Sequence, residues 1–152
     1  MIKFSAKEFS DLTLDELYDL LKLRQEVFIV EQDCPYLDSD GLDQDSLHIL
    51  GYLNESIVAY ARILPKGIQY ENYAAIGRVV SSQTIRKQKV GSQLFDFALK
   101  KCIDIFPNDP IKLSSQVYIK QFYASFGFVE KGEPYLEDDI PHIAMTYEAH
   151  LQ

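Results

Sequence analysis

The chain has 152 residues, of which 47% are hydrophobic, and its 15 Lys and Arg against 23 Asp and Glu give a net charge of −8. This length suits a single domain over residues 1–152, and the acidic surface disfavours a nucleic-acid partner because it repels a polyanion. Since no apolar run is long enough to cross a bilayer and the first residues lack a signal peptide's apolar segment, we expect a cytoplasmic protein with no membrane partner.

The first predicted elements are a strand and a helix. Apolar residues alternate with polar ones at Ile2 and Phe4, which is typical of a strand, and Thr13 followed by Glu16 makes a capping box that opens a helix. We expect this helix to run to about Phe28.

Arg24 lies on the apolar face of this helix, where a guanidinium needs either a structural ion pair or a place in a substrate pocket. An aspartate-rich loop, residues 31–45, follows the helix. Its spacing does not match a calcium-binding EF-hand loop, so no metal is expected. Asp40 is the loop carboxylate that we expect in the pocket, and Glu31 falls on the face of Arg24 if the helix continues.

The rest of the chain alternates strands and helices. A hairpin joined at Asn54 and Glu55 is followed by a central strand near residues 74–81, which is apolar on both faces. A helix begins near Gly91, and a strand and a helix ended by Gly127 precede two last strands. This order predicts a mixed α/β fold, in which helices cover both faces of a central twisted mixed β-sheet.

A cationic turn interrupts this acidic chain just before Gly91. Arg86, Lys87 and Lys89 follow a predicted strand and precede a predicted helix, whose first amides have no partner within the helix. This arrangement favours a small phosphate-bearing anion, although a solvated helix start explains the same pattern. The turn is neither a P-loop, which requires Gly-Lys-Ser/Thr, nor a dinucleotide fingerprint, which requires three glycines.

The segment from Arg86 to Gly91 resembles the pyrophosphate-binding motif of the GNAT superfamily of N-acyltransferases, in which Arg or Gln is followed by two residues, Gly, one residue, and Gly or Ala. Lys89 stands at the middle glycine of that motif. The segment QFYASFGF resembles another GNAT helix, and LRQEVFIVEQDCPYLDSDGLD, HILGY, ARIL, GRVV and IPHIAM resemble the ElaA-type branch. The resemblance therefore covers nearly the whole chain.

The resemblance implies acetyl-CoA as the acyl donor, held in a gap between two strands. The backbone of Val79, Val80 and Ser81 would pair with its pantetheine arm, and Gln116, which stands where many relatives carry asparagine, would join the coenzyme site. The pyrophosphate would contact the loop and the helix start, namely Arg86, Lys87, Gln88, Lys89, Val90, Gly91 and Ser92.

The implied reaction is transfer of the acetyl group to a primary amine of a small molecule or peptide, by direct attack through a tetrahedral intermediate. Tyr123 matches the family's tyrosine and would protonate the departing thiolate. The general base stays open among His48, His142, Glu31 and Asp40. The predicted substrate pocket comprises Arg24, Glu31, Asp40 and His142.

Two other interpretations stay open. The same patterns suit a non-catalytic acyl-CoA-binding or interaction module with the GNAT fold, because Lys89 replaces the glycine that comes closest to the phosphates. Arg24, Phe28 and Asp45 also echo acyl-homoserine lactone synthases, which share the fold. Ten tyrosines and nine phenylalanines are enough for a homodimer interface, although core packing uses the same residues.

Overall fold

The computed structural model describes residues 1–151, except for the side chains of Lys87 and Gln88. The strands and α-helices follow one another in the predicted order. They are β1 (Lys3–Glu8), α1 (Leu14–Arg24), β2 (Leu47–Leu53), β3 (Ser56–Leu64), β4 (Ala74–Ser81), α2 (Val90–Ile105), β5 (Ile111–Gln116), α3 (Lys120–Ala124), β6 (Val129–Glu137) and β7 (Ile140–Tyr147).

One sheet contains all seven strands in the order β1-β2-β3-β4-β5-β7-β6, and it is mixed because β4 and β5 run parallel while the other neighbours run antiparallel. On one face, Leu20 of α1 clusters with Tyr60 of β3. On the other face, Leu94 and Phe95 of α2 cluster with Ala59, the neighbouring β3 residue that points the opposite way. The predicted mixed α/β fold is confirmed.

The first helix begins as predicted and ends later. The Thr13 hydroxyl accepts a hydrogen bond from the Glu16 amide at 3.0 Å, and the Glu16 carboxylate accepts one from the Thr13 amide at 2.9 Å. Beyond α1 the helical path does not stop at Phe28, because Gln25–Glu31 forms a π-helix. No glycine or proline occurs in this stretch to end the helix earlier.

Strand β4 carries an extra residue relative to β3. Tyr60 lies opposite Val80, whereas Arg62 lies opposite Gly77, so two steps along β3 match three along β4. Arg78, inside this β-bulge, has a φ of +52°. A bulge bends its strand and increases the local twist.

Strands β4 and β5 separate after their first residues. They pair only where Ala74 and Ala75 lie opposite Ile111 and Lys112. Strand β5 pairs with β7 from Ile111 to Gln116, so its far half is held on that side alone. The gap between β4 and β5 corresponds to the one that the family resemblance implied.

The end of the chain differs in detail from the prediction. The third helix, α3, has only 5 residues and is followed by Gly127 with a φ of +103°. Strand β6 extends further than predicted and joins β7 through Asp138 and Asp139, both with positive φ, as in the hairpin turns that match strand twist. Within residues 1–151, no helix has the length and apolar character to cross a membrane.

Candidate functional site

A cavity of about 510 Å³ opens where β4 and β5 separate. This volume lies within the range of small-molecule sites, about 300–1,000 Å³. Both strands contribute to its walls, as do the π-helix, the segment around α3 and the turn between β6 and β7. Among the lining residues are Glu31, Cys34, Val79, Val80, Ser81, Arg86, Gln116, Tyr123, Glu137 and His142.

The cationic turn forms a 3₁₀ helix, Gln83–Gln88, shortly before α2. The first amide of α2 with a partner inside the helix is that of Gln93, which lies 3.3 Å from the Lys89 carbonyl oxygen. Within the described part of the chain, the amides of residues 90–92 have no backbone partner, so they can bind a ligand. A Cβ built on Gly91 meets no described atom within 4 Å, so an anion can approach the backbone there.

Arg86 and Glu31 form a bidentate ion pair at the cavity wall. Arg86 Nη2 donates to Glu31 Oε1 at 2.8 Å, and Nη1 donates to Oε2. Nη2 also donates to the carbonyl oxygen of Ser81 at 3.1 Å. The hydrogen bonds lower the pKa of Glu31 and raise the pKa of Arg86. A residue predicted to bind the acyl donor is thus joined to one predicted to bind the acceptor.

Tyr123 lines the cavity from α3 and is 7% exposed. Its ring packs edge-on against Phe95 and Phe122, with centroid distances of 5.0 Å and 5.1 Å. Burial raises the pKa of the Tyr123 phenol well above its usual range. The phenol is therefore protonated at neutral pH and held in the form that can donate a proton.

His142 lies on β7, opposite Gln116 of β5 and Tyr135 of β6. Residues directly opposite in antiparallel strands share one face of the sheet, here the face of the cavity. The Nδ1 atom of His142 lies 2.7 Å from the Ile140 carbonyl oxygen, and Nε2 lies 3.4 Å from a carboxylate oxygen of Glu137. The sequence singled out Gln116 and His142 but not Glu137, which only the β6–β7 pairing brings beside the imidazole.

Cys34 also lines the cavity, although the sequence showed it only as a loop residue. Burial, followed by the carboxylates of Asp138, Asp139 and Asp33, raises the pKa of its thiol. The sulfur lies 3.6 Å from the Asp138 carbonyl oxygen, to which it donates a weak hydrogen bond. A raised pKa favours the protonated thiol, which is the poorer nucleophile.

Comparison with known proteins assigns the chain to a family. The profile described as acetyltransferase (GNAT) domain matches residues 16–149. The chain is also 46% identical to Protein ElaA of Escherichia coli (strain K12), over 97% of each chain. The chain belongs to the GNAT acetyltransferase family.

Solved GNAT structures share this architecture. The crystal structure of Escherichia coli ElaA superposes with a TM-score of 0.91 at 45% identity, covering 97% of this chain and 100% of that one. The crystal structure of an acyl-CoA N-acyltransferase from Pseudomonas aeruginosa superposes with a TM-score of 0.91 at 44% identity, covering 97% of this chain and 99% of that one. A GNAT acetyltransferase from Elizabethkingia anophelis with acetyl-CoA bound shares the fold at a TM-score of 0.63 and 15% identity, covering 96% and 97%.

Lys89, which replaces the middle glycine of the GNAT motif, adopts a backbone conformation that glycine takes easily. Its φ is +59°, in the left-handed region that a glycine adopts at little cost and other residues adopt with strain. The backbone at the motif's middle glycine therefore follows the path that glycine would allow. Lys89 is the N-cap residue of α2, and its side chain makes no hydrogen bond to the first turn of that helix.

Arg24 and Asp40 do not line the GNAT cavity, which corrects the prediction. Arg24 is completely buried, and its guanidinium donates to Asp38 at 2.7 Å and to Asp43 at 2.8 Å. Arg62 donates to Asp43 at 3.0 Å and to Asp40 at 2.8 Å. Burial alone raises the pKa of Asp40, but hydrogen bonds from Arg62 and a backbone amide lower it to about 2. Buried charges require such partners, so both residues belong to a structural ion-pair network.

His48 also lies away from the cavity, beside this network. Its Nε2 donates to the Asp43 carbonyl oxygen at 2.8 Å, and its Nδ1 accepts from the Tyr60 hydroxyl at 2.6 Å. Burial lowers the pKa of His48, which keeps the ring neutral. Because the ring is fully buried and both nitrogens are occupied, His48 does not face a bound substrate.

The predicted coenzyme residues fall into three groups. Val79, Val80, Ser81, Arg86 and Gln116 line the cavity. Lys89, Val90, Gly91 and Ser92 lie at the adjoining start of α2, and the side chains of Lys87 and Gln88 lie outside the described part. Among the described residues, no group of three or more His, Cys, Asp and Glu is arranged to hold a metal ion.

Proposed function

We propose that this GNAT protein transfers the acetyl group of acetyl-CoA to a primary amine of a small molecule or peptide. The observation that carries the proposal is the gap between β4 and β5, which ends beside a cationic turn and a helix start with free amides. An extended pantetheine arm can add to the unpaired edge of β4 as a further strand does. The acetyl-CoA-bound Elizabethkingia anophelis structure, which shares the fold, is consistent with this donor.

The residues of the cavity have distinct tasks in this reaction. When bound, acetyl-CoA supplies an activated thioester. The backbone of residues 79–81 aligns that group and donates N–H to its carbonyl oxygen, where negative charge develops. Arg86 and the amides at the start of α2 hold the pyrophosphate.

The chemical step forms a bond from the amine nitrogen to the carbonyl carbon and breaks the carbon–sulfur bond, through a tetrahedral intermediate. Tyr123, which lines the cavity and is protonated at neutral pH, gives its proton to the departing sulfur. The amine loses one proton to a base, so the products are an amide and a free thiol.

Thermal unfolding with and without acetyl-CoA tests donor binding. A ligand at about 100 times its dissociation constant adds roughly 2.7 kcal/mol, or several degrees in Tm for a domain of this size. Arg86→Gln should reduce the shift because it removes the cation that contacts the pyrophosphate. Lys100→Gln is the matched control, since Lys100 also pairs with a carboxylate, that of Asp96 at 2.8 Å, but on an exposed face of α2.

Release of free thiol with a panel of primary amines then tests turnover. A wild-type protein that shows no shift at saturating acetyl-CoA contradicts the proposed donor. A shift without thiol release from any amine favours the acyl-CoA-binding module instead, the alternative that Lys89 supports. Of the residues that echo lactone synthases, Phe28 lines the cavity, whereas Arg24 pairs with Asp38 and Asp43 inside the protein.

A further inference from the structure

We propose that His142 is the general base of the reaction and that Glu137 positions and supports it; the assignment rests on the proposed acetyl transfer. The four base candidates from the sequence occupy different environments. His48 is fully buried, Asp40 is paired with Arg62, and Glu31 is paired with Arg86. Of the four candidates, only His142 lies in the cavity wall and has a possible proton acceptor, Nε2, that makes no strong hydrogen bond in the described structure.

The tautomer of His142 follows from its backbone contact. Nδ1 lies 2.7 Å from the carbonyl oxygen of Ile140, and a carbonyl oxygen can only accept. Nδ1 therefore carries the proton, and in the neutral ring Nε2 carries the lone pair. The ring is held in place by Tyr135, which stacks on it at 6.3 Å with an angle of 22°.

Glu137 provides a counter-charge for the protonated ring. One of its oxygens lies 3.4 Å from His142 Nε2, and half of its side chain, 51%, is exposed. Such a carboxylate attracts a substrate ammonium to the cavity and stabilises the imidazolium that forms when Nε2 takes the proton. Glu137 acts through His142 and is a positioning residue.

The proton balance closes with Tyr123. His142 Nε2 removes the extra proton of the substrate ammonium, and the neutral amine then forms the nitrogen–carbon bond as the carbon–sulfur bond breaks. Tyr123 protonates the sulfur, and the second proton that the nitrogen loses as the amide forms replaces the one that Tyr123 gave. The imidazolium then loses its proton to solvent, so each turnover returns the site to its starting state.

Other titratable or charged groups share the cavity with His142 and bear on its pH profile. They are Glu31, Cys34, Tyr36, Tyr70, Arg78, Arg86, Tyr118, Tyr123, Glu137 and Asp138. Glu31 and Arg86 neutralise each other, and Arg78 is paired with Asp38 at 2.8 Å. Glu137 is the carboxylate placed beside Nε2 itself.

The test variant is His142→Asn, because the asparagine amide nitrogen takes the place of Nδ1 and keeps the bond to Ile140 while removing Nε2. Loss of a general base should reduce kcat by about 10² to 10⁴ and leave the acetyl-CoA thermal shift unchanged. The loss of kcat in His142→Asn should become smaller as the pH approaches the pKa of the amine, because more of the acceptor then binds as the neutral amine. His142→Gln is the second variant should the first fail to fold.

His150→Gln is the matched control. His150 also bonds a backbone carbonyl, that of Asp109 at 2.8 Å, and stacks on a tyrosine, Tyr147 at 5.4 Å, but it is not among the cavity residues. It should retain full activity. Glu137→Gln should lose less than His142→Asn, and the double variant should lose no more than His142→Asn alone, because Glu137 acts through the imidazole.

Nitrogen-15 NMR of histidine-labelled protein tests the assignment independently of turnover. At a pH where the rings are neutral, His142 should show a protonated Nδ1, whereas His48 and His150 should show a protonated Nε2, because Nε2 is the atom that faces a carbonyl oxygen in each. A protonated Nε2 in neutral His142 overturns the proposal. The proposal is also overturned if His142→Asn keeps the wild-type kcat, or if it lowers kcat by the same factor at every pH. Failure of the acetyl-transfer proposal is seen separately, as the absence of a wild-type thermal shift or thiol release.

Discussion

At the scale of single residues, backbone conformation explains the one departure from the coenzyme motif. Lys89 has a φ of +59° at a position where the family's motif has glycine. A residue with a Cβ pays roughly 1–2 kcal/mol for a left-handed conformation. The lysine therefore keeps the loop's path at a cost in stability, while its charge stays next to the predicted pyrophosphate site.

Replacing Lys89 by glycine should therefore give a more stable protein than replacing it by alanine. We expect Lys89→Gly to raise the free energy of unfolding by up to about 1 kcal/mol relative to Lys89→Ala, because both variants lose the same charge and only glycine relieves the strain. Chemical denaturation of the two variants measures the difference. An alanine variant as stable as the glycine variant would show that the left-handed conformation carries no strain here.

At the scale of elements, the π-helical extension of the first helix brings Glu31 into contact with Arg86 of the predicted coenzyme site. The helix continues past Phe28 to Glu31, and Glu31 then pairs with Arg86, which lies 55 positions later. An anion that binds Arg86 must compete with this carboxylate. This ion pair thereby links the predicted acceptor side of the cavity to the predicted donor side.

Removing the competing charge should tighten donor binding. We expect Glu31→Gln to lower the Kd for acetyl-CoA by up to about fivefold, because a partly exposed ion pair is worth roughly 0.2–1 kcal/mol. Isothermal titration calorimetry measures the change. Glu26→Gln, an exposed position on the same π-helix, should leave the Kd unaltered. Weaker binding by Glu31→Gln would mean that Glu31 orients Arg86 rather than competing for it.

At the scale of the whole molecule, a buried ion-pair network ties the aspartate-rich loop to the sheet. Its ion pairs join three guanidinium groups to three carboxylates and so balance in charge; the members are Arg24, Arg62, Arg78, Asp38, Asp40 and Asp43. Each carboxylate bridges two of the guanidinium groups. Asp43 bridges the two that are almost fully buried, Arg24 and Arg62. The loop that was expected to place Asp40 in the substrate pocket is thus part of the structure that holds β4 and the cavity in place.

Asp43→Asn should destabilise the whole fold. Removing one partner of a buried ion pair costs about 3–5 kcal/mol, since an uncompensated charge stays buried. Urea unfolding should show this loss, with Asp96→Asn as the control, because Asp96 pairs with Lys100 on the surface and its loss should cost less than about 1 kcal/mol. Equal stability of the two variants would contradict a stabilising role for the Asp43 ion pairs.

The sequence by itself determined the features that depend on near neighbours. The capping box at Thr13 and Glu16, the hairpin turn at Asn54 and the order of strands and helices rest on hydrogen bonds and periodicity within a few residues. The family motifs added the coenzyme loop and the gap beside β4.

Only the tertiary structure decided which charged residues meet. Arg24 forms ion pairs with Asp38 and Asp43 rather than facing the cavity. His142 lies beside Glu137 because of the register in which β6 and β7 pair. These contacts cross 14 positions or more, or depend on strand register, and a guanidinium on an apolar helix face is equally compatible with a buried ion pair and with a ligand site. The choice depends on which carboxylates the folded chain brings within reach, because burying a charge is favourable only with a partner.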